Sequence, residues 1–181
     1  YTTAMKSPSF HPSREADINK NTQDSNLTYI NVSCTDFSVD AEYKALTEYN
    51  SKDGAVVIFV GRVRDFNQNQ TVTHLTLENY PAMTSKVLAE ISQQARQNWD
   101  INRIRIIHCI GKLEMSDQIV FVGVSSSHRQ DAFEAAQFLM DHLKTKAPFW
   151  KKETTASGEK NWLGVNDKDT KAANKWSFKS S

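Results

Sequence analysis

With two cysteines in 181 residues, Cys34 and Cys109, the chain has too few thiols for a disulfide framework, and without a CxxC pair it outlines no thiolate zinc site. A reducing, cytoplasmic setting is the expectation. No stretch approaches the roughly 18 to 20 consecutive apolar residues of a membrane span, and the N-terminus has no apolar signal core, so neither a membrane nor secretion is expected. Charge of one sign is scarce as well: 22 Lys and Arg stand against 21 Asp and Glu, leaving +1. That balance offers nucleic acid no whole-chain attraction. The histidines His11, His74, His108, His128 and His142 form no i, i+4 or HxH pair, which argues against a metal site. GxGxxG, Walker and GxSxG motifs are also missing, and with them the commonest sequence support for dinucleotide, nucleotide or serine-hydrolase chemistry.

What is present reads as one α+β domain between two tails. Residues 1–26 are polar and nearly free of apolar periodicity, as in a flexible tail or an expression remnant, and 177–181 read as a short C-terminal tail. Between them, Leu27 to Val32 reads as a strand and Val39 to Tyr49 as a short helix introduced by Ser38 or Asp40. The continuous apolar run Gly54 to Val63 predicts a strand buried on both faces or at a bend. Arg64 to Gln70 is a polar loop. Thr71 to Tyr80 alternates as a half-buried strand, with Pro81 expected to end it. Thr84 to Trp99 has helical spacing, Arg103 to Ile110 returns to strand character, and Ile119 to Val124 is a strand closed by the serines Ser125 to Ser127. The clearest helix is Asp131 to Leu143, stopped by Pro148. Gly158 suggests a turn between Lys151–Thr155 and Lys160–Val165, and Asp167 to Trp176 predicts a last short helix.

Three basic clusters stand out. Ser127, His128 and Arg129 open the long helix, and Ser127 with Gln130 fits a capping box, which would set backbone N–H groups and the positive dipole end beside His128 and Arg129 as an anion site. Taken alone, an ordinary solvated helix start is the slightly better reading. Lys144, Lys146, Lys151 and Lys152 thread through KTKAPFWKK. Phe149 and Trp150 could wall a lysine off from water, leaving it able to shed its charge and act as base, acid or nucleophile. Arg62 and Arg64 end the buried strand beside a polar loop, a weak sign of a ligand cleft. Cys109 shares a strand face with Ile107 and reads as a small buried hydrophobe rather than a persulfide carrier. The residues alone reach an α+β domain suited to a small phosphorylated ligand, and stop short of the reaction.

The segments GRVR (61–64), LTLENYPAMT (75–84), IHCIGKL (107–113), VGVSSSHRQDAFEA (122–135) and LKTKAPFWKKE (143–153) resemble, in this order, the large subunit of molybdopterin synthase. The resemblance runs from Gly54 to Lys152, extends more loosely from about Leu27 to Trp176 and leaves the N-terminal tail uncovered. It implies an α/β hammerhead-type single domain with a mixed or antiparallel sheet and packed helices. It also implies a homodimer flanked by two small ubiquitin-like carriers, a heterotetramer in which each carrier's Gly-Gly tail ends in a thiocarboxylate. Sulfur from two carriers in turn would pass to cyclic pyranopterin monophosphate, with no metal, nucleotide or other cofactor.

On the same resemblance Lys144 is the catalytic lysine and Lys151 the second functional lysine. Substrate contacts fall on Arg62, Val63, Arg64, His128, Arg129, Lys144, Lys151, Lys152 and Glu153. The family's pocket lies near the dimer interface, so His128 and Arg129 are expected to complete the neighbouring subunit's site. Ser116 stands where related sequences often have glycine, which bears on turn geometry rather than chemistry. The rival from another class is a non-catalytic scaffold for a ubiquitin-like partner or a phosphorylated pterin; the presence of both lysines favours the enzyme. An RNA-binding module ranks far below, because aromatics interleaved with basic residues on a strand face are missing.

Overall fold

The alternation of short apolar runs with helical stripes produces, among the described residues, two four-stranded sheets and four helices in one α+β domain. The computed structural model describes residues 28–64 and 72–177. The expected N-terminal tail, most of the polar loop after Arg64, and the end of the chain beyond Ser177 lie outside the described residues.

The first sheet has the order β1 (Thr28–Ser33), β4 (Ile104–Cys109), β6 (Gln118–Ser126), β2 (Ala55–Arg62). It is mixed: β1 runs parallel to β4, while β6 is antiparallel to both its neighbours. The second sheet, β5 (Gly111–Glu114), β3 (Val72–Asn79), β7 (Phe149–Thr155), β8 (Lys160–Leu163), is antiparallel throughout. The helices are α1 (Val39–Thr47), α2 (Pro81–Asn98), α3 (Arg129–Lys146) and α4 (Asp167–Asn174). Among the described residues no helix is long and apolar enough to cross a membrane.

Period-two alternation divides the core. On one face of the first sheet Ile104, Ile106, Val122 and Val124 pack with Leu88 and Ile91 of α2 and with Phe138 and Leu139 of α3. On the other, Ile107, Cys109 and Phe121 pack with Leu75 and Leu77 of β3 and with Leu113 of β5. Each fully buried Leu, Ile or Phe contributes roughly 1.5–3 kcal/mol relative to exposure. This packing, more than helix propensity, holds α3 on the sheet.

Three local readings are corrected. Pro81 does not simply end β3; it opens α2 in its first turn, where a missing N–H costs nothing. Ser125 and Ser126 lie within β6 and are fully buried, rather than closing it from outside. Beyond the strand expected over Arg103–Ile110, which forms as β4, a further strand stands where none was expected: Gly111 at φ +86° redirects the chain into β5 and so into the second sheet.

The turn from β5 to β6 bears directly on the GRVR segment. The Ser116 N–H donates to the Val63 carbonyl at 2.9 Å, and the Val63 N–H donates to the Asp117 carbonyl at 2.8 Å. Ser116 adopts φ +74°, the left-handed region that favours glycine. Ser116→Gly should therefore raise stability by about 1 kcal/mol, the scale of the left-handed penalty for a residue with a Cβ. Thermal melts of the two proteins check this; a lower melting temperature for the variant would contradict it.

Candidate active site

The segment after β6 is pinned by its serines. Ser125 Oγ donates to Asp53 Oδ2, while Ser126 Oγ donates to the Asp100 carbonyl at 2.6 Å and accepts the His128 N–H at 3.1 Å. Ser127 Oγ donates to the Lys52 carbonyl at 3.5 Å, so the expected capping box does not form. His128 is the residue at the helix cap, without a side-chain cap bond, and Gln130 instead donates to Glu134. The first N–H groups of α3 are thus left open beside the exposed side chains of His128 and Arg129. An open recess there is lined by His128, Arg129, Gln130, Phe133 and Glu134.

The lysines belong to the other end of the same helix. At 1.5 Å per residue, Arg129 and Lys144 are about 22 Å apart along α3. Because α3 folds back along β6 and β2, Lys144 lies toward the end where Arg62 pairs with Gln118. Lys144 is 44% exposed, with Nζ 3.5 Å from Asp169 Oδ1 of α4. Its charge reaches Lys151, whose ammonium is held below the ordinary lysine range by burial and then by the Lys144 charge, with Asp169 opposing. An exposed lysine and a buried one with lowered basicity, Lys151, therefore share one neighbourhood.

Not every predicted site residue joins them. Arg62 Nε donates to the Ser116 carbonyl at 2.9 Å, and Val63 is buried with both backbone groups bonded into the β5–β6 turn, so its side chain belongs to the core. Arg64 is exposed at the edge of the described segment. On β7 the pleat sends Phe149, Lys151 and Glu153 to one face and Trp150 and Lys152 to the other. Lys152 meets Glu78 at 3.7 Å and stands over the Trp162 ring at 4.9 Å, and Trp150 is 48% exposed. The expected wall of two aromatics is therefore Phe149 alone on the Lys151 face, completed by His108.

Sequence reading missed Asp169 and His108. Asp169 carries no local signal, being 25 positions from Lys144. His108 sits within the quoted IHCIGKL segment and on the face of the core isoleucines Ile104 and Ile106. It is 3% exposed, and its ring stacks on Phe149 at 3.8 Å and 12°. Burial, aided by the Lys151 charge, pulls its pKa from 6.5 to about 4. Between those values the unfolded chain takes up a proton that the folded chain refuses. This contribution is intact above pH 6.5 and falls away toward pH 4, by up to about 3 kcal/mol. Denaturant titrations across that window should show a shallower acid loss for His108→Phe than for the native chain; equal slopes would contradict it.

Cys109 is buried among apolar side chains, and burial, followed by Asp36, pushes its thiol up to about 11. A thiol so reluctant to ionise is a poor nucleophile. Among the described residues no three His, Cys, Asp or Glu side chains gather as metal ligands.

The chain's kinship lies with one family. Residues 32–146 match the model of the MoaE protein family. The chain is 53% identical over 140 residues to the molybdopterin synthase catalytic subunit of Escherichia coli K12, covering 77% of this chain and 92% of that one. It is 51% identical over 147 residues to the same subunit of Vibrio cholerae, covering 81% and 97%. Its fold superposes on a molybdopterin biosynthesis MoaE protein from Burkholderia ambifaria with TM-score 0.71 and 42% identity, over 84% of this chain and 99% of that one. A molybdopterin synthase structure from Staphylococcus aureus aligns with TM-score 0.68 and 32% identity, over 74% and 96%. The chain belongs to the MoaE family of molybdopterin synthase catalytic subunits.

Proposed function

We propose that this chain, acting in the cytoplasm, transfers sulfur from the thiocarboxylated Gly-Gly tail of a small ubiquitin-like carrier to cyclic pyranopterin monophosphate, forming the dithiolene of molybdopterin. The observation that carries the reading is the pairing of exposed Lys144 with Lys151, whose ammonium burial holds below the ordinary lysine range. A solved complex of subunits 1 and 2 of the molybdopterin-converting factor from Helicobacter pylori shares the fold, with TM-score 0.61 and 19% identity. Both cysteines are free, as a reducing compartment requires.

In this reading Lys144 supports sulfur addition, by proton transfer or through a transient adduct with the carrier tail, and Lys151 stabilises the negative charge that develops. Arg64, His128 and Arg129 hold the phosphate, with the open N–H groups of α3 beside them. Arg62 and Val63 contribute by holding the segment that carries Arg64, and Lys152 and Glu153 by flanking Lys151. The separation along α3 keeps Arg129 away from its own chain's Lys144, so the site is completed by a two-fold partner whose Arg129 end meets this chain's lysine end. A central homodimer with one carrier at each outer side follows, a heterotetramer.

Purified chain, thiocarboxylated carrier and the cyclic pterin should together yield dithiolene with repeated turnover. Stable binding of both partners without product would identify the scaffold instead.

A further inference from the structure

The core face that carries Ile104 and Ile106 continues to His108, and nothing in the packing of that face calls for an ionisable ring. The imidazole is nonetheless fixed in two directions. Nδ1 is 2.9 Å from the carbonyl of Cys109, an arrangement in which Nδ1–H donates and Nε2 keeps the lone pair. The flat of the ring lies on Phe149, joining β4 of the first sheet to β7 of the second. Phe149 and Lys151 share a face of β7, so this stack is the ground beside which the lysine stands.

We propose that His108 is a positioning residue for Lys151: clamped face to face on Phe149, it forms a dry floor that fixes where β7 presents the ammonium and keeps water from one side of it. The inference rests on Lys151 acting in the sulfur transfer described above. Lys144 on α3 and Asp169 on α4 act on the Lys151 ammonium, and the Lys151 charge in turn reaches His108 on β4. The register partners of Lys151 on β3 and β8, Leu77 and Leu163, carry no charge. A protonated His108 would repel the Lys151 ammonium, and burial of the ring prevents that. The floor stays neutral while Lys151 titrates.

The test follows Lys151 itself, by NMR of side-chain-labelled lysine in the dimeric chain with its carrier, the signal being assigned through Lys151→Arg. In Phe149→Leu and His108→Ala, water reaches the lysine and its titration should move up toward the ordinary lysine value. In His108→Phe, which keeps a flat uncharged ring on Phe149, the titration should stay near that of the native chain. If His108→Ala does not fold, the other two variants decide. An unmoved titration in Phe149→Leu would overturn the positioning role. The pH profile of product formation separates this from the catalytic reading: its alkaline limb should move with the titration. A titration that moves while the limb stays fixed supports the floor and removes Lys151 from the reaction.

Discussion

Replacing Lys144 by alanine should lower dithiolene formation by about 10²- to 10⁴-fold, the range lost with a positioned proton-transfer group. The fold should survive the change. Lys144 is 44% exposed at the end of α3, and its ion pair with Asp169 is long at 3.5 Å. A pair of that kind contributes roughly 0–1 kcal/mol. Melting temperature and dimerisation should thus remain close to the native values while turnover collapses. Carrier affinity should change little, because a stable protein interface of ordinary size spans roughly 20 to 30 residues a side. Comparable turnover in the variant and the native enzyme would remove Lys144 from the chemistry.

Mixing two inactive chains, Lys144→Ala and Arg129→Ala, should restore about a quarter of native activity when subunits reassort at random in a two-fold dimer. The figure follows from the geometry. If each site takes its lysines from one chain and His128 and Arg129 from the other, a mixed dimer holds one doubly damaged site and one intact site. Half of the dimers are mixed, so a quarter of all sites are whole. The structural basis is the length of α3, which sets the two ends about 22 Å apart within one chain. Activity no higher than the sum of the separate variants would count against a site shared between the two subunits.

Much of this was legible before any coordinates. The apolar stripe of α3, the alternation of β3, the apolar run of β2, and the lysines around Ala147 to Trp150 are local patterns that survive into the fold, although β2 is only half-buried and bulges at Gly61/Arg62 rather than being buried on both faces. What the chain did not display is which residues share a face or an end. Lys151 and Lys152 are adjacent in sequence and opposed across the pleat of β7, a distinction that needs β7 to be known as a strand. Arg129 and Lys144 looked like parts of one cleft because a motif carries no length, whereas a five-turn helix does. Ser127 satisfied the pattern of a capping box, yet its hydroxyl faces Lys52 from a distant loop. His108 and Asp169 reach the lysines only through tertiary packing, and their neighbours in sequence say nothing of it.

The central claim concerns where the sulfur comes from and what this chain does with it. Supplying carrier whose thiocarboxylate bears a heavy sulfur isotope, together with unlabelled enzyme and cyclic pterin, and weighing the product by mass spectrometry, tests it most directly. The account predicts a dithiolene with both sulfurs labelled, formed by the native chain and by Cys109→Ser alike, and nearly absent with Lys144→Ala. Unlabelled sulfur in the product, or product lost with Cys109→Ser while folding is intact, would contradict it.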